Sequence, residues 1–169
     1  MTASGLVTTL ALKSYWSHNI YVESGDRGGA QLAAIRSWLR LDQAFVRFNR
    51  HLRERHGVTG VQLAMLRILS ERPVTLAELR QSLAMHPATL GQLIDRLARM
   101  GLVDRRSSPD DRRKRLVEPT SRGRRLLAAA PLAGPVRLRY QPADRDRLRR
   151  LAAAFEDAVE LFGLKEWST

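Results

Sequence analysis

The sequence predicts a mainly α-helical domain that carries one small β-hairpin. Long stretches place apolar residues at three- and four-residue steps, and two short β-prone runs flank a polar turn that contains proline. The composition supports a packed core, with 44% hydrophobic and 27% charged residues in a chain of 169, an ordinary globular balance.

The N-terminal 29 residues lack a clear period. Thr8–Val22 mixes β-formers with Ser, Asn and His, and Ser24–Gly29 reads as a flexible linker. Residues 1–29 are therefore expected to be an extension, and residues 30–165 the domain. From Ala30 the period is helical: Leu32, Ile35, Trp38, Leu39, Phe45, Phe48 and Leu52 recur until Gly57 stops the helix. A second helix is expected after Thr59, burying Val61, Met65, Ile68 and Leu69, and ending at Pro73. The third opens with Thr75-Leu76-Ala77-Glu78, a capping box in which each side chain satisfies the other residue's backbone N–H. Pro87 suits the first turn of a fourth helix, whose inward stripe is Leu90, Leu93, Ile94 and Leu97 and whose left-handed cap is Gly101. Leu102–Arg106 and Arg115–Glu118 then form the hairpin around Ser107–Asp111. Thr120 caps a fifth helix, Pro131, Gly134 and Pro135 interrupt it, and a last amphipathic helix covers about Ala143–Phe162.

Charge adds direction. Arginine and lysine number 29 against 17 acidic residues, a net +12, and such an excess points to a polyanion, nucleic acid first. The ends of the chain are close to neutral, whereas residues 102–125 hold nine basic and four acidic groups. The richest segment is thus the hairpin that follows the fourth helix. Three short helices and a basic hairpin are the order of a winged helix-turn-helix, in which the second helix of the motif enters a major groove and the hairpin lies beside it. Residues 102–125 contain no Phe, Tyr or Trp, so the stacking platform expected for unpaired bases is missing and duplex DNA is favoured over RNA.

Other classes find no residues to stand on. Cysteine is absent, which removes disulfides, thiolate metal sites and thiol nucleophiles. His51 and His56 stand five apart, not at the i, i+4 spacing that puts two ligands on one helical face, and no metal or cofactor is expected. There is no G-x-S-x-G, P-loop, H-E-x-x-H or dinucleotide-binding glycine turn, so an enzyme is not expected. No apolar run reaches membrane-spanning length, and Met1–Leu12 lacks the basic start of a secretory signal; a cytoplasmic protein is the expectation.

The run Asp111-Arg112-Arg113-Lys114-Arg115-Leu116-Val117-Glu118-Pro119-Thr120-Ser121-Arg122-Gly123 resembles the wing signature of the MarR (multiple antibiotic resistance regulator) family, D-R-R-x-x-x-V-x-L-T-x-x-G. Thr89–Leu97 followed by Gly101-Leu102-Val103 is similar to that family's recognition helix and its exit. The resemblance spans about residues 30–162. It implies a winged helix-turn-helix transcription factor with a DNA-binding lobe at 59–119 and dimerisation helices at 30–58 and 120–165. It also implies a homodimer on duplex DNA, a repressor in the expected case, released in many members by a small aromatic ligand.

The expected DNA-contacting residues are Thr75, Ala88, Thr89, Gln92 and Arg96 in the helices and Arg112, Arg113 and Arg115 in the wing, with Asp111 supporting the wing. No ligand-binding residue is singled out; Trp38, Phe45 and Phe48 read as core or dimer interface. Two departures from the family pattern carry their own expectations. Pro119 replaces a leucine and predicts an early end to the hairpin's second strand. Gly91 and Gln92 take positions that are often basic or hydroxyl-bearing, which keeps open a partner-binding adaptor without DNA binding; a basic RNA- or ribosome-associated module using the same winged fold is the other alternative.

Overall fold

The structure, a computed structural model, describes residues 26–83, 85–107 and 115–168. In chain order these form α1 (Asp26–His56), α2 (Gly60–Glu71), β1 (Val74–Thr75), α3 (Leu76–Ser82), α4 (Pro87–Arg99), β2 (Val103–Ser107) and β3 (Arg115–Pro119). There follow α5 (Ser121–Ala129), α6 (Arg137–Tyr140), α7 (Arg145–Leu161) and a short 3₁₀ turn, Lys165–Trp167. The chain divides between Phe48 and Asn49 into two compact units.

In the first unit α1 begins at Asp26, so Asp26–Gly29 is helical where its two glycines suggest a linker. Leu32, Ile35, Leu39 and Phe45 are half-buried along the helix, while Trp38, Leu41 and Val46 are exposed.

The second unit holds the core. Leu52, Val58, Leu63, Leu66, Leu69, Leu79, Leu90, Ile94, Leu97, Leu102 and Val117 are fully buried. The face of α2 differs from expectation: Val61 is 56% exposed, and the buried row is Gln62, Leu63, Met65, Leu66 and Leu69. The cause is the cap. Thr59 N–H donates to Gln62 Oε1 at 2.8 Å and Gln62 N–H donates back to the Thr59 hydroxyl. Gln62 is thereby turned inward, its amide satisfied, and the phase of the helix follows.

Three strands, not two, make the sheet, in the order β1-β3-β2 and antiparallel throughout. Val74 pairs with Val117 and Thr75 with Leu116, so two residues entering α3 form an edge strand that periodicity cannot register. On the other side β3 pairs with β2 from Ser107↔Arg115 to Val103↔Pro119. Pro119 therefore does not end the strand early. It lies past the last β1 partner, where its missing N–H costs no bond to that strand, and Thr120 N–H resumes bonding on the Leu102 carbonyl at 3.0 Å.

Caps fix the remaining ends. The His86 imidazole accepts from Ala88 N–H ahead of Pro87, and Gly101 closes α4 at φ +66°. Thr120 accepts from Gly123 N–H to start α5. Its end is held by Arg67, whose guanidinium donates to the Ala130 carbonyl at 2.9 Å. Beyond the break, Glu71 at the end of α2 receives both Arg139 nitrogens at 2.6 and 2.7 Å and the Tyr140 hydroxyl at 2.8 Å. The Arg139 bond is the main cause that holds the Glu71 carboxyl below its ordinary range. Burial, then the bond to Glu71, pushes the Tyr140 phenol up to about 12.

Candidate nucleic-acid interface

The helix-turn-helix is α3, a short turn and α4. Ala84, in that turn, lies outside the described residues. Apolar residues at positions 90, 94 and 97 bury one side of α4, and the 3.6-residue period turns Ala88, Thr89, Gln92 and Arg96 to the other, where all four are exposed. Arg99 extends the same stripe by one turn. Among the described residues, none bonds to the side chains of Thr89, Gln92 or Arg96. The stripe is thus preformed, with an amide and a guanidinium one helical turn apart.

Thr75 has a different position. It ends β1 and caps α3; its hydroxyl donates to Glu78 Oε2 at 2.8 Å and accepts from Glu78 N–H at 3.1 Å. The Glu78 carboxyl is drawn down to about 2, first by the Thr75 N–H, then by that hydroxyl and by Arg72. Thr75 is occupied in orienting α3.

The wing strands carry three described arginines with three different partners. Arg105 on β2 reaches Asp95 on α4 at 2.5 Å. Arg106 crosses the hairpin to Glu118 at 2.9 Å. Arg115 donates to the neutral hydroxyl of Ser107 at 3.2 Å and keeps its charge uncompensated by that bond. Asp111, Arg112 and Arg113, expected at the wing tip, lie outside the described residues. The two carboxylate pairs escape sequence reading because a run of arginines shows how many charges there are, and pairing depends on register. A hint is present all the same: Arg106 and Glu118 lie on diagonally related positions of any hairpin with this register.

Among the described residues no cluster of three or more His, Cys, Asp or Glu could hold a metal, and no helix is long and apolar enough to cross a membrane. A shallow cleft of about 420 Å³ opens beside the exit of α4, between Arg99 and Met100 on one side and Arg122 and Leu126 of α5 on the other.

A capped three-helix lobe, a helix-turn-helix with a polar exposed stripe and a three-stranded sheet ending in a basic hairpin define a winged helix-turn-helix, a DNA-binding class of fold. Comparison with known proteins narrows the class. Residues 56–114 match the model of the MarR family. The transcriptional regulator HosA of Escherichia coli O157:H7 is 32% identical over 107 residues, which cover 62% of this chain and 72% of that protein. HosA of E. coli O111:H- is 34% identical over 74 residues, covering 43% of this chain and 55% of that protein, little more than half its length. Among solved structures, the transcriptional regulator MOSR of M. tuberculosis in complex with DNA superimposes with a TM-score of 0.51 at 27% identity, over 76% of this chain and 96% of that one. The chain belongs to the MarR family, and stands with transcriptional regulators rather than enzymes.

Proposed function

We propose that the chain is a sequence-specific, duplex-DNA-binding regulator that acts as a homodimer on a pseudo-palindromic operator, as a repressor released by a small molecule. The observation that carries this reading is the exposed stripe Ala88, Thr89, Gln92 and Arg96 on α4, set in the same lobe as a wing of basic residues. Gln92 has the donor–acceptor pair that recognises adenine in the major groove. Arg112 and Arg113 are assigned to the adjacent minor groove and its phosphates, with Asp111 stiffening the tip.

Self-association is supported by apolar surface left uncovered within each unit. Trp38, Leu41 and Val46 of α1 are exposed, as are Leu151, Phe155 and Leu161 of α7, and α7 buries no residue at all. A two-fold dimer of such lobes places half-sites about one DNA turn, ~10 bp, apart. The absence of cysteine excludes release through a thiol, so any release from DNA is assigned to a reversible small-molecule ligand. The protein is assigned to the cytoplasm, where its operator is.

The test is a salt titration of Gln92→Ala and Arg112→Ala against a site recovered by genomic pull-down and against a scrambled duplex. Gln92→Ala should lose about 1–3 kcal/mol on the site and little on the scramble. Arg112→Ala should weaken both and reduce the salt slope by about one unit. Equal losses of Gln92→Ala on both duplexes would remove α4 as the reader, and a monomer by sedimentation at micromolar concentration would remove the operator symmetry.

A further inference from the structure

A half-buried carboxylate borders the recognition stripe. Asp95 is the one acidic residue of α4, three positions after Gln92 and beside Arg96, on a helix whose proposed place is among phosphates. Left alone there it would repel the duplex. Its partner is Arg105, from the second strand of the sheet.

The position of Arg105 explains why this arginine is the partner. Side chains on a strand alternate, and cross-strand partners share a face. Val103↔Pro119 and Arg105↔Val117 are register pairs, and Val103, Val117 and Pro119 are buried. Arg105 therefore leaves β2 on the sheet's inward face, directed at α4. Ser107↔Arg115 is the next pair outward on that same face. The backbone N–H of Arg105, on the open edge of β2, donates to Asp104 Oδ1 at 2.8 Å. The inward face thus grades from apolar contact, through one ion pair to α4, to an arginine on a neutral hydroxyl.

Both partners are open to water, 40% and 49% exposed, so the pair adds little to stability. What it fixes is relative placement: the hairpin is tied to α4 midway along the recognition stripe. We propose that Asp95 and Arg105 form a strut that holds the wing in register with α4, so that helix and wing read one stretch of duplex together, and that Arg105 is a positioning residue and not a phosphate ligand. The proposal rests on the DNA-binding reading above.

The test compares wild type, Arg105→Gln, Arg105→Lys, Asp95→Asn and the double variant Asp95→Asn/Arg105→Gln, each at several salt concentrations, on the recovered site and on a scrambled duplex of equal length. Circular dichroism checks that each variant is folded. Arg105→Gln should lose about tenfold on the site and less on the scramble; because it leaves Asp95 uncompensated, the salt slope is read in the double variant, where it should match wild type. Arg105→Lys, which keeps the charge, should recover part of the loss. Asp95→Asn frees a guanidinium for the backbone, so it should tighten scrambled binding, steepen the slope by about 0.9 and lower the ratio of specific to non-specific affinity. The double variant should lose no more on the site than Arg105→Gln alone, as expected of two halves of one contact. A slope that flattens by about 0.9 in the double variant, where Asp95 no longer repels, makes Arg105 a phosphate ligand and overturns the strut. An unchanged specificity ratio in both single variants overturns it equally. A wild-type protein that binds neither duplex overturns the DNA-binding reading and this inference with it, an outcome distinct from the other two.

Discussion

Gly123→Ala should destabilise the protein although it replaces glycine by the best helix former. Gly123 lies in the first turn of α5 and is buried. A Cβ built there would meet the Leu102 carbonyl oxygen at 2.2 Å, its carbon at 3.2 Å and a Leu66 methyl at 3.3 Å. The nearest obstacle is backbone, and the same oxygen accepts from Thr120 N–H at 3.0 Å. Relief requires Leu102 and α5 to separate by roughly 1 Å, against the close packing of the interior. Overpacking costs about 1–3 kcal/mol and weakening the Thr120 bond about 0.5–1.5 kcal/mol, while the change from glycine returns about 0.5–1 kcal/mol. The balance is a loss of about 2–3 kcal/mol. Gly91→Ala provides the control, because nothing lies within 4 Å of its Cβ position and α4 should gain about 0.5–1 kcal/mol. Urea unfolding of both variants at one protein concentration measures the pair, and the thermal midpoint of Gly123→Ala should fall by about 4–12 °C. If the two variants lie within about 0.5 kcal/mol of each other, the clash does not exist and the reasoning from backbone proximity fails.

Three further outcomes follow from the caps, the Glu71 anchor and the absence of cysteine. Thr75→Ala should cost about 1 kcal/mol in the same assay; because Glu78 titrates at about 2 in the folded lobe and near 4.3 when unfolded, its contribution is complete above pH ~4.3 and fades as pH falls towards 2, so an acid titration of Glu78→Gln should lack that step. Glu71→Gln removes the carboxylate that takes Arg139 and the Tyr140 hydroxyl, so trypsin should cut after Arg137 and Arg139 faster; the Tyr140 phenol, read by ultraviolet titration, should move from about 12 only part of the way towards 10, since burial is the larger cause. Mild peroxide should leave DNA binding without any loss that dithiothreitol reverses, as gel shift before and after treatment will show.

Much of the fold was legible because its signals are local. The capping box at Thr75 and Glu78, proline in the first turn of α4, the left-handed Gly101 and Thr120 ahead of α5 are each decided by residues within a few positions. The exposed stripe of α4 was legible for the same reason, as the complement of Leu90, Ile94 and Leu97. What escaped depends on distant partners. Val74 and Thr75 become a strand only because β3 passes beside them, and Val61 is displaced from the core by an amide whose task lies in a cap. Pro119 was misread because a missing donor matters only where a neighbouring strand would have used it. Nor could composition tell that Arg105 and Arg106 face carboxylates whereas Arg115 faces a hydroxyl.

The shortest element has the widest reach in time. When β1 finds β3, it joins Val74 to Val117, 43 residues later, and closing a loop of that length costs about 3 kcal/mol of chain entropy. The contacts of α3, α4 and the β2–β3 hairpin close shorter loops, so this clasp should form after them, an order that pulse-labelled deuterium exchange during refolding would show. Once shut, it holds both ends of the helix-turn-helix, and the helices between them cannot open singly without straining it. The amides of α3, α4 and the hairpin should then exchange with deuterium as one cooperative unit. A regulator that must present helix and wing together gains from this: the lobe is either wholly assembled or wholly unable to read.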